Sequence, residues 1–232
     1  MVLVISVLAT YVSIHYDLGY NVDLTLLSIA IIFPLVFNIR GAFKRREKAL
    51  EHLSKFRTSL VTILHYIQMS RNLPPEERSR LELAINHISE GAIKFLKNGA
   101  TDTKEVDEGF KELHEAILDL NEFMPGKIKD RIFRFMNNMQ EGFENVYAIN
   151  THRTPQALKA YCLVFIYVFP IIYAPNIVYN IGVEDVWWIE YSVVVITEFI
   201  LISLYNIQDQ MEYPFDEYGL DDIKLDNFKL KR

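Results

Sequence analysis

Residues 1–39 and 160–223 contain no lysine and no arginine, so every fixed positive charge lies between Arg40 and Lys159 or from Lys224 onward. Together with a net charge of −6, this excludes nucleic acid as a main partner, because phosphate binding needs a concentrated basic face. Cysteine occurs once, at Cys162 in an apolar run. That excludes a disulfide framework or a Cys-rich metal site within one chain and leaves a small packing residue. The six histidines (His15, His52, His65, His87, His114 and His152) stand apart, without HExxH or HxH spacing. No Gly-rich phosphate loop and no GxSxG occur either, so no enzyme is expected. There is no strand alternation and no internal repeat.

What the chain has in quantity is apolar residues, half of its 232, gathered at the two ends. Val2 to Tyr16 is apolar apart from His15. It reaches only about 22 Å as a helix, so it crosses a hydrocarbon core of roughly 30 Å only by extending through Leu18 to Tyr20. DLGYNVD then reads as a tight exterior loop. Leu24 to Ile39 is a second span carrying Pro34, which should kink it and needs a neighbour to cover the freed carbonyl. Ala157 to Tyr179 and Val186 to Ile207 form a second hairpin, with Trp187, Trp188, Tyr173 and Tyr179 as an interfacial belt. Glu198, mid-span, should face the protein interior, bonded to a neighbour or protonated. Since Lys and Arg favour the cytoplasmic side, the central block and both termini are expected there.

The expected architecture is therefore an all-α membrane protein with four transmembrane helices in two hairpins and an intervening helical cytoplasmic domain. Its parts are a first transmembrane hairpin over 1–41, a cytoplasmic helical domain over 42–155, a second transmembrane hairpin over 156–208 and an acidic cytoplasmic segment over 209–232. Within the central domain, Leu50, Leu53, Leu60, Ile63, Leu64 and Ile67 mark one face of a long amphipathic helix. Pro-Glu-Glu after Leu73 opens a helix that stops at Asn98-Gly99, and Thr103 to Phe123 and Lys127 to Ile149 read as two more.

Two stretches carry functional candidates. From Ser28 to Ala49 an apolar helix pattern turns basic with no turn signal between, so one helix should leave the membrane and continue into water. Ile29, Phe33 and Phe37 are four apart and share one helix face. In a symmetric oligomer that face could line an axis; otherwise it packs against lipid or a neighbouring helix. After the last span, DQMEYPFDEYGLDDIKLD crowds acids around Pro214-Phe215. Asp216, Glu217, Asp221 and Asp222 offer the oxygens that Ca²⁺ takes, without EF-hand spacing. The alternative is a solvated acidic turn with Phe215 anchored among neighbouring helices.

The order of these pieces resembles the bestrophin family of ion channels. FNIRGAFKRREKA from Phe37 to Ala49 is similar to the family's FRTNxAYxRWWEA at Phe37, Ala42, Arg45 and Ala49, with Phe43 for Tyr and with Arg46 and Glu47 for the Trp pair. Thr154-Pro155 resembles the start of TPxPF, whose second Pro is Ala157 here. EYPFDEYGLDDIKLD from Glu212 to Asp226 resembles EDPFGxDxNDLPLD with one inserted residue, and Asp216 replaces its Gly.

The resemblance covers roughly residues 24–50 and 150–226. It implies a homo-oligomer, a pentamer, in the cell membrane, conducting chloride and other small anions through a neck of Ile29, Phe33 and Phe37 that gates by wetting and dewetting. A lower constriction would fall on Ile128 or Ile132. The family's N-terminal cytoplasmic helix, which helps complete a Ca²⁺ site, is expected to be absent because Met1 opens on the apolar run, so no cofactor beyond a weak or vestigial Ca²⁺ site is expected. The competing reading is a non-conducting membrane scaffold or sensor whose helical domain binds a partner.

Overall fold

The computed structural model describes residues 1–98, 102–120, 122–181, 187–216, 218–219 and 221–230, and only the backbone of Trp187. Gly99, Glu217, Arg232, the Trp187 side chain and residues 182–186 therefore lie outside the described residues. Seven α-helices and one 3₁₀ turn are described: α1 (Val2–His15), α2 (Thr25–Met69), α3 (Pro75–Asn98), α4 (Lys104–Asp119), α5 (Gly126–Thr151), α6 (Gln156–Ile181), α7 (Trp187–Met211) and the turn Leu225–Phe228. Among the described residues there is no strand. Two compact units are present, one of Met1–Phe43 and Thr154–Glu212, the other of Lys44–Arg153 and Tyr213–Arg232.

The helix expected to continue without a break is there as α2, 45 residues long. Pro34 sits inside it. A proline lacks the N–H that the carbonyl four residues earlier would accept, and the freed Ala30 carbonyl accepts a hydrogen bond from the Tyr161 hydroxyl at 3.4 Å. The neighbour that the sequence requires is thus Tyr161 of α6.

The first helix differs from expectation. α1 stops at His15 instead of extending to Tyr20, because Asp17 takes a left-handed conformation (φ 50°). The Leu18 N–H then bonds the Ser13 carbonyl at 2.8 Å and the Asp17 N–H bonds Ile14 at 3.3 Å. This is the Schellman closure that ends helices. Fourteen residues leave α1 about 21 Å long, and three helices, α2, α6 and α7, are long and apolar enough to cross a membrane.

The first unit has an inverted distribution of side chains. In α1 the small residues Ser6, Thr10 and Ser13 are buried, while Leu3, Val4, Val7 and Leu8 are exposed. The three hydroxyls donate to carbonyls four residues back, at 3.2, 2.9 and 2.7 Å, so they need no outside acceptor. α1 packs against α6 and α7, and α6 against α7. Val2, Ile31, Leu35, Cys162, Ile166, Phe169 and Leu201 form the core, in which Cys162 is the packing residue expected of it. The loop before α2 is tied to α6: Asn176 Nδ2 donates to the Val22 carbonyl at 2.8 Å, and the Tyr20 hydroxyl to Ile172 at 3.2 Å.

The second unit has an apolar core enclosed by its own helices. Leu53, Phe56, Leu60, Ile63 and Ile67 of α2 are buried against residues of α3, α4 and α5, with Leu50 and Leu64 partly buried at the margin. The chain after α7 adds Phe215, Ile223, Leu225 and Leu230 to the same core. Its backbone is held by Arg57, whose Nε donates to the Lys229 carbonyl at 3.1 Å, and by Ser89 Oγ, which accepts from the Leu230 N–H at 3.1 Å.

Two helix backbones come close at Gly142 of α5, where an added Cβ would lie 2.9 Å from the Phe56 nitrogen and 3.0 Å from the His52 carbonyl oxygen. At Gly41 of α2 an added Cβ meets nothing within 4 Å. Gly142→Ala is expected to lower stability by about 1–3 kcal/mol through overpacking, whereas Gly41→Ala should be neutral or raise it by about 0.5–1 kcal/mol. Thermal unfolding of both variants checks this; equal midpoints would show that α5 can move away from α2 freely.

Candidate functional site

The stripe on α2 is bare. Ile29, Phe33 and Phe37 are 53%, 61% and 54% exposed, whereas Ile31, Leu35 and Asn38 on the opposite face are buried. The Phe33 and Phe37 rings meet edge to face, centroids 4.8 Å apart, an arrangement that fixes the two rings relative to each other. Above them Leu24, Thr25, Ser28, Ile29, Ile32 and Phe33 line an open apolar groove of about 510 Å³. Arg40, exposed, is the first cation in the chain and lies three residues past Phe37.

The two lower-constriction candidates separate. Ile128 is half-buried and packs on the margin of the second unit's core. Ile132 has no accessible surface and is a member of that core. A side chain enclosed by its own helices has no surface to present to a passage, so Ile132 is a packing residue.

The acidic segment is folded around Phe215, which is buried. The Ile223 N–H bonds the Pro214 carbonyl at 2.8 Å and closes a loop. Within it, Asp216 Oδ1 accepts from the Tyr218 N–H at 3.2 Å and Asp222 Oδ2 from the Gly219 N–H at 2.6 Å. A Cβ at Gly219 would stand 2.5 Å from Asp222 Oδ1, so a side chain there would have to displace that carboxylate. Arg46 donates its Nε–H to the Asp221 main-chain carbonyl at 2.7 Å. Arg46 thus brings positive charge to the acids. Glu217 lies outside the described residues. Among the described residues no three His, Cys, Asp or Glu side chains converge as a metal site.

Burial pushes the Asp222 carboxyl above the ordinary carboxylate range and the neighbouring Asp216 adds to the rise, against the Gly219 N–H and Arg46, which pull it down. Asp226 goes the other way, held low by its bonds to Lys229 and Lys97 at 2.7 and 3.2 Å. The signs are opposite. Asp222 binds its proton more tightly when folded, so it favours the fold as pH falls through its raised pKa. The contribution of Asp226 is present above the unfolded value and is lost as pH falls through its depressed one.

One constellation was not anticipated from the sequence. Lys159, buried near the start of α6, lies 2.7 Å from Asp209 and 2.6 Å from Glu212. Glu212 is itself buried; its Oε1 accepts from the Thr154 N–H at 2.8 Å and its Oε2 from Gln208 at 3.2 Å. Glu212 of the segment beginning Glu-Tyr-Pro-Phe is thereby joined to Thr154 of the Thr-Pro pair, two of the stretches that carried the resemblance. The available signal was that Lys159 is the last cation before the long cation-free run and that Asp209 and Glu212 are spaced to meet it together.

Glu198 faces the interior, fully buried, and neither carboxyl oxygen has a hydrogen-bond partner among the described residues.

No protein-family model matches the sequence, and no curated protein matches it. Solved structures do match in fold. A crystal structure of a single-residue variant of a bacterial bestrophin homologue from Klebsiella pneumoniae superimposes with a TM-score of 0.82 at 15% identity, covering 98% of this chain and 93% of that one. The same organism's homologue solved by Zn-SAD phasing gives 0.81 at 15% identity, covering 98% and 91%. A variant described only as a membrane protein gives 0.83 at 15% identity, covering 98% and 93%. The chain is an all-helical protein with three apolar helices of membrane-crossing length. Its fold is that of the bestrophin homologues.

Removing one member of a buried ion pair strands the other, typically at about 3–5 kcal/mol. Lys159→Met should therefore depress the unfolding midpoint sharply. Adding Glu212→Gln, which removes the stranded charge and keeps an acceptor for the Thr154 N–H, should recover part of the loss. A single variant that melts like the parent would show that the pair is inert.

Proposed function

We propose that the chain is a subunit of a homo-oligomeric, pentameric membrane ion channel, conducting chloride and other small anions along an axis lined by Ile29, Phe33 and Phe37. The observation that carries this reading is the bare stripe: three large apolar side chains on one face of a helix whose other face is fully packed. Rings of these side chains would form an uncharged constriction that gates by wetting and dewetting. The bestrophin fold supports the reading, and the exposed Arg40 just past the stripe supports an anion preference. Ile128, the lower candidate with surface to offer, would line a second constriction.

In this reading the first unit is the membrane domain, with 1–41 and 156–208 as its two hairpins. Residues 42–155 and the acidic segment 209–232 lie in the cytoplasm of the cell, as the distribution of Lys and Arg supports. The exposed apolar side chains of α1, with small residues turned inward, suit lipid outside and close helix packing inside. α1 is the short fourth span, and local thinning of the bilayer accommodates such a mismatch.

Flux from liposomes tests the channel. Replacing Ile29, Phe33 and Phe37 together by Ala is expected to raise anion flux several-fold, since smaller side chains widen the ring and hold water in it. Unchanged flux through an intact oligomer would make the stripe a packing surface, and no flux from either protein would favour the non-conducting scaffold.

The acidic segment is proposed as a weak or vestigial Ca²⁺ site. Ca²⁺ takes six to eight oxygens, whereas Asp216 and Asp222 are engaged by backbone N–H groups and Arg46 holds the Asp221 carbonyl. Calorimetric titration should therefore find affinity no tighter than about 10⁻⁴ M, in the range of weak sites. Submicromolar binding that disappears in an Asp221→Asn, Asp222→Asn double variant would make the segment a regulatory calcium site instead.

A further inference from the structure

We propose that Glu198 is a proton-binding site inside the first unit: it is carried as the neutral acid, and it is the carboxyl that an apolar carbodiimide modifies. The proposal goes beyond channel activity and rests on the membrane reading only in placing α7 in lipid.

The packed face of α7 reads Glu190, Val194, Glu198, Leu201 and Gln208, all buried and spaced as one stripe. Glu198 stands in its middle between Val194 and Leu201. It is the only carboxylic acid among the described residues with both oxygens buried and unbonded. α1 and α6 pack on α7, and Leu201 shares its core with Ile31 and Leu35 of α2, where residues 25–39 carry no titratable side chain. α1 has no Asp, Glu, Lys or Arg, and its titratable groups, Tyr11 and His15, are exposed. Its buried hydroxyls at Ser6, Thr10 and Ser13 are turned to their own backbone. The one cation of α6, Lys159, is already held by Asp209 and Glu212. Asp209 lies eleven residues from Glu198, about 16 Å along the helix.

An ionised carboxylate in that position would have neither countercharge nor donor among the described residues. Isolated buried charges are neutralised in preference to being kept, and the neutral acid removes the net charge while leaving the packing intact. A protonated carboxyl in an apolar setting has a specific reactivity. Its O–H adds across one C=N bond of a carbodiimide, the oxygen bonding the central carbon and the proton passing to nitrogen. The resulting O-acylisourea rearranges by an oxygen-to-nitrogen acyl shift to a stable N-acylurea with no leaving group. The adduct therefore carries the full mass of the reagent.

The test uses the full chain in liposomes treated with dicyclohexylcarbodiimide, with the adduct located by peptide mass mapping, and infrared spectroscopy of the protonated carboxyl band. The expected result is an adduct on Glu198, no reaction there with a water-soluble carbodiimide, and loss of the carboxyl band in Glu198→Gln. Because Gln is the neutral isostere, that variant should fold and melt like the parent. Where Gln is tolerated poorly, Glu198→Asp, which keeps an acid, decides: labelling retained on the Asp supports the proposal, and labelling lost from a folded variant overturns it. Absence of the adduct on Glu198, or equal labelling by the water-soluble reagent, also overturns the proposal. Either outcome leaves the flux measurements, and so the channel reading, untouched.

Discussion

Polar groups held away from water must find partners within the protein, and the first unit is organised by that requirement. Its proline would orphan the Ala30 carbonyl, and Tyr161 reaches it. The hydroxyls of α1 bond their own helix. The loop before α2 is pinned through its carbonyls by Asn176, and the buried Lys159 is matched by two carboxylates. Each solution lies within this unit, which is what apolar surroundings demand, where an unsatisfied group costs several kcal/mol. Glu198 departs from the rule, and neutralisation is the remaining way to meet it.

The bare stripe on α2 sets a different constraint. Burying an Ile or Phe side chain is worth about 1.5–3 kcal/mol, so three left a little over half exposed in water would forgo about 2.5–5 kcal/mol, a large share of the net stability of a small domain. Lipid removes that penalty without selecting a partner. An axial ring uses it, because the same reluctance of water to wet apolar walls is what closes such a constriction. The edge-to-face contact of Phe33 and Phe37 is worth about 0.5–1.5 kcal/mol and favours the two rings lying together on that face.

Local signals were read well and distant pairings were not. Gly41 stands alone between Phe37 and Ala49, with no Pro-Gly or Asn-Gly beside it, which makes α2 legible as one helix, and Pro34 is legible as tolerable because one hydrogen-bond donor from a neighbour covers the carbonyl that it frees. The early end of α1 was hidden: a left-handed Asp is uncommon, and nothing nearby marks Asp17 rather than Gly19 as the turning residue. Ile128 and Ile132 look alike in sequence, and only packing shows that Ile132 is enclosed. Lys159 was counted as a marker of topology when it is also a structural cation, because its partners stand fifty or more residues away. The acids from Asp216 to Asp222 could be counted in the sequence, but Arg46 comes from a helix some 175 residues earlier, and it decides how little of their charge is left for a cation.

Charge selection in the proposed channel has to come from somewhere other than the neck, since Ile and Phe side chains carry no charge. A helix advances 100° per residue, so Arg40 lies within about 20° of Phe33 around α2 and about one turn past Phe37. Its side chain is exposed, and no carboxylate among the described residues forms an ion pair with it. Repeated by symmetry, Arg40 would place a ring of fixed positive charge at the exit of an apolar constriction. There the low-dielectric walls confine the field and raise the local concentration of anions. An uncharged gate and a charged vestibule then divide the work: the first controls whether water and ions pass, the second which sign of ion is present to pass when it opens.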